Sequence, residues 1–476
     1  MRTSAEILEH FSPREALGEA RSLFLVGIGG AGMSGLVPLA LKQGFTVSGS
    51  DAFETSVTRG LGVPVTIGHF EALPEHVDAL VLTDAIDLAT NPEVQVARRR
   101  GLKLFRRSQL LGRLLRNHKV AAVTGTHGKT TTTAMLASIF EAAELDPTIA
   151  VGGIRVDTGT NARAGAGPWF VTESDESDGS FLYLNPTIAV VTNIENDHVA
   201  SDADLPRLLE QFTLFANRVP SNGQVVVGND NRASKAVGRQ AQAPVTTFAT
   251  RDADADLTIT DLRYENLGAH FTVCDRGVVL GEIDLHVPGE INVQNALAAI
   301  GAARAAGIRF DQIAPALGAF RGVQRRFEIV GRGTLTIVDD YAHHPTAIAQ
   351  TIAAARDFAH DGPLIVAFQP HRYTRTQYLK DEFATALAGA DRVFLTPVYA
   401  ASEKPIDGVS ERMIGDPLAA SGTHVTYVDD VEQLMDVVPQ EAPPGSLVLM
   451  LGAGSITSVA HRLGARISTP TATTVG

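Results

Sequence analysis

Val120-Ala121-Ala122-Val123-Thr124-Gly125-Thr126-His127-Gly128-Lys129-Thr130-Thr131-Thr132-Thr133 is the stretch that decides how this chain is read. The apolar run Val120–Val123 suits a buried strand. A glycine-bearing turn follows, and Met135, Leu136, Ile139, Phe140 and Ala143 then recur at helical spacing. Strand, tight turn and helix in that order bring free backbone N–H groups and the positive end of a helix dipole to one point. Lys129 adds a full charge there and Thr130 a hydroxyl suited to Mg2+, so the guest expected is a nucleoside triphosphate. The pattern is incomplete, because Val123 stands where a phosphate loop has its first glycine. A threonine-capped helix N-terminus with a solvated lysine would carry the same letters.

Composition narrows the class. The 476 residues suggest about three domains of ordinary size. A formal net charge of −13 argues against nucleic-acid binding through a global basic field. Arg98-Arg99-Arg100 and Arg106-Arg107 read as solvated helix ends, with one arginine available to a ligand. Cys274 is the only cysteine, which excludes an intrachain disulfide and fits a reducing compartment. Leu23–Leu41 carries no formal charge, but its five glycines and Pro38 make it a poor membrane span. The expectation is a soluble, cytoplasmic protein with no membrane insertion. The sequence does not distinguish a monomer from a dimer.

Three α/β regions follow from the alternation of strand and helix patterns, with boundaries expected at 1–117, 118–326 and 327–476. The first has strands at Leu23–Val26, Thr46–Gly49 and Ala79–Leu82. The second has them at Val120–Val123, Trp169–Thr172, Thr187–Thr192 and Gln224–Val227. Leu257–Thr260 and Gly281–Leu285 then alternate as a small antiparallel addition, and a helix is expected over Asn292–Ala306. The third region has strands at Leu335–Val338, Leu364–Phe368, Arg392–Leu395 and Leu447–Leu451. Ser468–Gly476 reads as a disordered tail.

Strand ends carry the chemistry, as the carboxyl ends of an open parallel sheet face the ligand crevice. One strand delivers Glu173, followed by Asp175 and Glu176. Another delivers Asn193, then Glu195, Asp197 and His198. Glu173 and Thr130 suit Mg2+, and His198 suits a second metal; Asp175, Glu176 and Asp197 read as solvated or capping acids. Gly27-Ile28-Gly29-Gly30-Ala31-Gly32 after a strand, with Asp51 ending the next, is a dinucleotide fingerprint on its face. Its physics specifies only a diphosphate on a helix N-terminus, and close helix–strand packing would need the same glycines. In the third region, Asp339-Asp340-Tyr341-Ala342-His343-His344 and His371-Arg372-Tyr373-Thr374-Arg375 suit a small zwitterion: guanidinium for its carboxylate, acceptors for its ammonium. The His343-His344 pair also permits a metal site, though no cysteine accompanies it.

Taken together, Thr124–Thr133, Glu173–Ser177, Thr192–His198, Gly289–Asn295, Gln324–Phe327, Asp339–Pro345 and Gln369–Thr376 resemble the Mur ligases of bacterial cell-wall synthesis, in family order from Leu23 to Ile456. The resemblance implies an α/β fold of three domains. These are a Rossmann-like UDP-binding domain, a central P-loop-type ATPase domain and a C-terminal Rossmann-like domain that binds an amino acid. It implies joining of L-alanine to UDP-N-acetylmuramate with ATP and Mg2+ (Mn2+ a possible substitute), through an acyl phosphate. By position, Gly125, Thr126, His127, Gly128, Lys129, Thr130 and Thr131 would cradle the phosphates, and Thr130, Glu173 and His198 would serve the metals. Asn193 joins Lys129, Glu173 and His198 in the catalytic set. Asn295 would meet the adenine, and Arg326, Asp339 and Asp340 the nucleotide side. Gly29, Gly30, Ala31 and Gly32 would hold the UDP diphosphate, with Asp51, His69 and Arg107 nearby. Tyr341, His343, Arg372 and Arg375 would face the alanine.

The chain departs from the family in places. No lysine lies between Lys129 and Lys235, so the carbamylated lysine of some relatives is absent, which agrees with the alanine-adding branch. Asp197-His198-Val199-Ala200 replaces the frequent Asp-His-Met-Asp. Asp84 stands where small hydroxyl residues are common, and is expected to point away from a diphosphate. The nearest rival is the recycling ligase that joins a tripeptide to the same UDP sugar. Its glycine loop carries Cys-Gly-Thr-Phe, unlike Gly29–Met33 here. A nicotinamide dehydrogenase leaves Lys129, Glu173 and His198 without a task, and a non-catalytic nucleotide-binding regulator leaves the metal and amine contacts without one.

Overall fold

The computed structural model describes residues 17, 19–83, 86–174, 181, 184–195, 205–265, 268–359, 362–401 and 403–468. The chain divides into two compact units. One comprises Met1–Thr260, Thr272–Glu282 and Gln294–Leu317, the other Asp261–Phe271, Ile283–Val293 and Gly318–Gly476.

The first sheet is built from β1 (Ser22–Val26), β2 (Thr46–Asp51), β3 (Val65–Ile67), β4 (Ala79–Leu82) and β5 (Lys103–Arg106), in the order β3-β2-β1-β4-β5. Every pairing is parallel. Side chains alternate between its faces. Leu23, Leu25, Ala79 and Val81 enter one core with Val37, Leu110 and Leu114. Phe24, Val26, Leu80 and Leu82 enter another with Val94 and Ala97. Both faces are thus covered, which is why β1 and β4 read as continuous apolar runs.

The second sheet has ten strands: β6 (Lys119–Thr124), β7 (Thr148–Ala150), β8 (Ala162–Arg163), β9 (Trp169–Glu173), β10 (Ile188–Val191), β11 (Gln224–Gly228), β12 (Val245–Phe248), β13 (Leu257–Glu265), β14 (Gly268–Asp275) and β15 (Val278–Leu285). Their order is β15-β14-β13-β12-β11-β10-β6-β9-β7-β8. β6 lies parallel between β9 and β10, so the strand before Lys129 is central. β14, read as turn in the sequence, is a strand that carries the buried Cys274. Arg276 (φ 48°) and Gly277 (φ 80°) join it to β15, the paired positive dihedrals of a two-residue hairpin turn. The first two sheets share a core, since Leu25 and Phe105 belong to the same buried cluster as Ala122, Phe170 and Val191. Polar ties run alongside: the Lys42 ammonium donates to the carbonyls of Ala164 (3.3 Å) and Gly165, and Gln43 Nε2 to Leu114 O (2.7 Å).

The other unit holds β16 (Glu328–Arg332), β17 (Thr336–Asp340), β18 (Leu364–Phe368), β19 (Arg392–Leu395), β20 (His424–Tyr427) and β21 (Leu447–Leu451), in the order β16-β17-β21-β18-β19-β20. Only β16 runs antiparallel to its neighbour among the pairs of this sheet. The helices Pro345–Ala359 and Lys380–Leu387 cover one face. The helices Leu434–Glu441 and Ile456–Ser468 cover the other. Ser468 closes the last helix rather than opening a tail, and residues 469–476 lie outside the described residues.

Candidate active site

The turn after β6 is shaped by the end of the neighbouring strand. Gly125 (φ 130°) and Gly128 (φ 82°) both adopt dihedrals that other residues rarely take. A Cβ on Gly125 would lie 2.1 Å from Thr192 Oγ1, and one on Gly128 2.2 Å from Asn295 Oδ1. Asn193 accepts from Thr126 N with its carbonyl (2.9 Å) and from His127 N with Oδ1 (2.9 Å). Its Nδ2 donates back to His127 O (3.1 Å), where the Thr192 hydroxyl also donates (2.7 Å). Asn193 therefore shapes the loop through both ends of its amide. Val123 is a fully buried strand residue whose carbonyl accepts from Ser174 N (2.8 Å), so the missing first glycine reflects a loop that opens later, after Thr124.

Lys129 begins the helix Lys129–Ala142 and folds its ammonium onto the loop carbonyls of Gly125 (2.6 Å) and Thr126 (3.2 Å). Thr132 donates to Asn295 Oδ1 (3.1 Å) and Thr133 to Lys129 O (2.8 Å), which gives these two hydroxyls structural partners. Thr130 and Thr131 are buried in the first turn. Asn295 sits 3% exposed beneath that turn. His127 Nε2 lies 3.3 Å from Glu195 Oε2, and Glu195 N donates to Thr126 Oγ1 (2.8 Å). The contributions of Thr192 and Glu195 were signalled in the sequence only by their adjacency to Asn193.

Glu173 ends β9 directly across from Val123. Its Oε2 is buried with no hydrogen-bond partner among the described residues, and its carboxylate lies so close to Gly152 that a Cβ there would collide. A buried carboxylate oxygen without a partner is costly, and a divalent cation is the partner that oxygen chemistry suits best. Glu173 and Thr130 thus fit Mg2+. His198, with Asp175, Glu176 and Asp197, lies outside the described residues.

A second loop follows β1. Gly27 (φ 77°) turns the chain, and Gly27 N and Ile28 N donate to Ser50 O (2.8 and 3.0 Å). Gly30 caps a short helix, Ala31–Ser34, that is broken at Gly35 and resumes as Leu36–Lys42. Asp51, expected near the UDP diphosphate, accepts from Gly29 N with Oδ2 (2.8 Å) and from Phe53 N with Oδ1 (3.3 Å), so its carboxylate braces the loop. Arg107 lies over Gly32, within 3.3 Å of where a Cβ would stand. His69 Nδ1 is bonded to Glu93 Oε2 (2.9 Å). Asp84 lies outside the described residues.

In the other unit, rings line the strand ends. Tyr341 and His343 meet edge to face at 4.8 Å, His343 and His371 at 5.7 Å, and His371 stacks on Tyr399 at 5.6 Å. The guanidinium carbons of Arg325 and Arg326 lie 4.9 and 5.3 Å from the Tyr341 centroid. Arg375 Nη1 is 3.5 Å from His371 Nδ1, and Arg372 holds φ at 72° while its N–H donates to Tyr399 O (2.8 Å). Burial, then Arg375 and Arg372, push the His371 imidazole down to about 4. Tyr399 was missed in the sequence because nothing in its neighbourhood forms a motif.

Asp339 and Asp340 are engaged within this unit. Asp340 accepts from Phe327 N (2.7 Å) and Ala342 N (2.7 Å), and burial raises its pKa against the pull of Arg326. Asp339 Oδ2 takes the Thr457 hydroxyl and lies 3.5 Å from His461 Nε2 and 3.8 Å from Arg325 Nε. Glu328, Asp339 and His461 are the one grouping among the described residues with metal-ligand spacing. Arg325 already supplies cationic charge to it, so it fits an ion-pair network better than a cation.

Comparison with known proteins places these loops in context. The Mur ligase family, catalytic domain, matches residues 23–119, the Mur ligase middle domain residues 123–303, and the Mur ligase, glutamate ligase domain, residues 325–454. The UDP-N-acetylmuramate–L-alanine ligase of Acidithiobacillus ferrooxidans is 44% identical over 449 residues, covering 92% of this chain and 96% of that protein. The enzyme of the same name from Desulforapulum autotrophicum is 42% identical over 446 residues, covering 93% and 97%. Among solved structures, UDP-N-acetylmuramate-alanine ligase MurC from Thermotoga maritima superposes with a TM-score of 0.81 at 30% identity, covering 94% of this chain and 98% of that one. A murein peptide ligase from Psychrobacter arcticus gives 0.71 at 25% identity, covering 94% and 99%.

Proposed function

The chain belongs to the Mur ligase family, and from that premise we propose that it joins L-alanine to UDP-N-acetylmuramate with conversion of ATP to ADP and phosphate. It is a ligase of peptidoglycan precursor synthesis. The observation that carries the chemistry is the unpartnered Glu173 oxygen, one strand away from a loop that ends in Lys129 and Thr130.

A carboxylate resists attack by an amine because its leaving group would be oxide. Transfer of the γ-phosphate to the substrate carboxylate gives an acyl phosphate, and the amine of alanine then displaces phosphate through a tetrahedral intermediate. Two anions must be aligned and neutralised for the first step. Lys129 leaves the carbonyls of Gly125 and Thr126 for the β- and γ-phosphates, and the N–H groups of Gly128 to Thr131 face the same anion. Thr130 and Glu173 would hold Mg2+ and His198 a second ion, and the cation would supply charge neutralisation between the two reacting anions. Asn193 keeps the loop in register as a positioning residue. Asn295 is assigned to the adenine, and Arg326, Asp339 and Asp340 to the nucleotide side, each from within its own unit. Gly29 to Gly32 and Arg107 take the UDP diphosphate. Tyr341, His343, Arg372 and Arg375 receive alanine, beside an imidazole at His371 that stays neutral at physiological pH.

No helix among the described residues is long and apolar enough to cross a membrane. ATP and a UDP sugar as substrates support a cytoplasmic site of action. Phosphate release from ATP and Mg2+ with UDP-N-acetylmuramate tests the function, with L-alanine, glycine, L-serine and the tripeptide compared and product masses read in parallel. L-alanine is expected to drive turnover. Turnover with the tripeptide alone would move the chain to the recycling branch, against its closer likeness to the alanine enzymes.

A further inference from the structure

His69 is gripped from two elements of the first unit in a way that the glycine loop alone does not require. β3 ends at Ile67, and Gly68 (φ 99°) turns the chain with its N–H donating to Asp51 O (2.7 Å) and the Phe70 ring packed against it. That turn sets the His69 Nδ1 atom 3.3 Å from Ser50 Oγ and 2.9 Å from Glu93 Oε2. Glu93 lies in the first turn of the helix Pro92–Arg99 and is 1% exposed. The imidazole is 23% exposed, and no described residue bonds its Nε2.

The chemistry of the pair is one-directional. An ionised carboxylate can only accept, so Nδ1 carries the hydrogen. In the neutral ring Nε2 then offers a lone pair. Ser50 is tied to the glycine loop through Gly27 N and Ile28 N, which places His69 at the loop's end of the sheet. Asp51, the residue whose position suggests a hydroxyl acceptor, already takes Gly29 N with Oδ2. Nε2, which no described residue bonds, is a further acceptor that a sugar hydroxyl can reach at this end of the sheet.

We propose that Glu93 is a positioning residue that pins His69 as the Nδ1–H tautomer, so that Nε2 accepts a hydrogen bond from a sugar hydroxyl of the bound nucleoside-diphosphate sugar. This rests on the reading of the glycine loop as the UDP-sugar site. The hydroxyl belongs either to the ribose or to the amino sugar, and the two are separable.

The test begins with the imidazole 15N shifts of the full chain at about pH 8.5, where an ordinary histidine is neutral, with His69 assigned by its loss in His69→Ala. The expected spectrum has hydrogen on Nδ1 and a bare Nε2. Glu93→Gln, which keeps shape but can donate as well as accept, should mix the tautomers. It should also raise KM for UDP-N-acetylmuramate by up to roughly tenfold, the upper end for one neutral hydrogen bond, while kcat and KM for ATP hold. His69→Ala should match that loss, and adding Glu93→Gln to it should change nothing further. If His69→Ala weakens UDP and UDP-N-acetylmuramate equally, the ribose is the donor; if UDP is unaffected, the amino sugar is. Hydrogen on Nε2 in the wild type, or additive losses in the double variant, would overturn the proposal. UDP-N-acetylmuramate binding that survives both Arg107→Ala and Gly32→Val would instead remove the loop reading beneath it.

Discussion

On the proposed reading Lys129 and Glu173 serve the same anion in different ways, so their substitutions should separate. Lys129→Ala removes a charge that the loop carbonyls of Gly125 and Thr126 hold in readiness. ATP turnover is expected to fall by roughly 10²-fold or more, the usual loss for one preorganised donor, while UDP-N-acetylmuramate binding measured by calorimetry survives. Equal loss of both would mean that the two loops do not serve separate ligands. Glu173→Gln keeps the volume beside Gly152 but weakens the oxygen ligand. The Mg2+ concentration for half-maximal activity should rise by more than about tenfold, since even outer-shell partners of metal ligands are worth that much. An unchanged Mg2+ curve would place the cation elsewhere. His371 makes a pH prediction. Its pKa in the folded chain is about 4, below the ordinary 6.5, so the unfolded chain binds more protons between those values. The neutral ring's contribution is fully present above 6.5 and is lost as the pH falls toward 4. His371→Asn should therefore gain on the wild type in melting temperature when both are moved from pH 7.5 to pH 5, and a constant gap would show that the ring is not held neutral. The placement of Lys129 and Thr130 at a helix start and of Glu173 at a strand end was legible, because a local motif and an apolar run fix those positions. What Asn193 and Asp51 do was not, because their hydrogen bonds cross from one strand end to another loop and exist only once the sheet is paired.

The element that carries most constraint is the helix Lys129–Ala142, whose first residue follows a left-handed glycine. Gly128→Ala would need φ of 82° with a side chain and would drive a Cβ to 2.2 Å from Asn295 Oδ1. A loss of about 2 kcal/mol or more in chemical denaturation is expected, from the left-handed backbone and the collision together. A neutral substitution would mean that Asn295 can withdraw freely. The strands show why some elements were readable. Ala79–Leu82, Leu364–Phe368, Arg392–Leu395 and Leu447–Leu451 were bounded correctly, since each is largely or wholly buried on both faces and so reads as an unbroken apolar run. Val65–Ile67, Ala162–Arg163 and His424–Tyr427 escaped notice. They are short strands at sheet edges with no fully buried residue, and their pairing rather than their composition makes them strands. The hairpin turn at Arg276-Gly277 left a weak mark, because arginine seldom takes positive φ.

For the molecule as a whole, the continuous core through the first two sheets means that ligand binding at one loop should steady the other. UDP-N-acetylmuramate at a hundred times its Kd adds about 2.7 kcal/mol to the folded state. Hydrogen exchange should slow in Lys119–Thr124 and Lys129–Ala142 as well as in Ser22–Val26. Protection confined to residues before 117 would show that the shared cluster of Leu25, Phe105, Ala122 and Phe170 does not couple them. The family resemblance anticipated the chemistry of both regions, but not this common core, which depends on side chains distant in sequence. One further consequence attaches to β14. Its Cys274 is the sole thiol of 476 residues, is buried, and belongs to the first unit. A coloured thiol reagent added to the untouched protein therefore counts openings of that unit alone, one event per molecule, with no engineered label and no background from the rest of the chain.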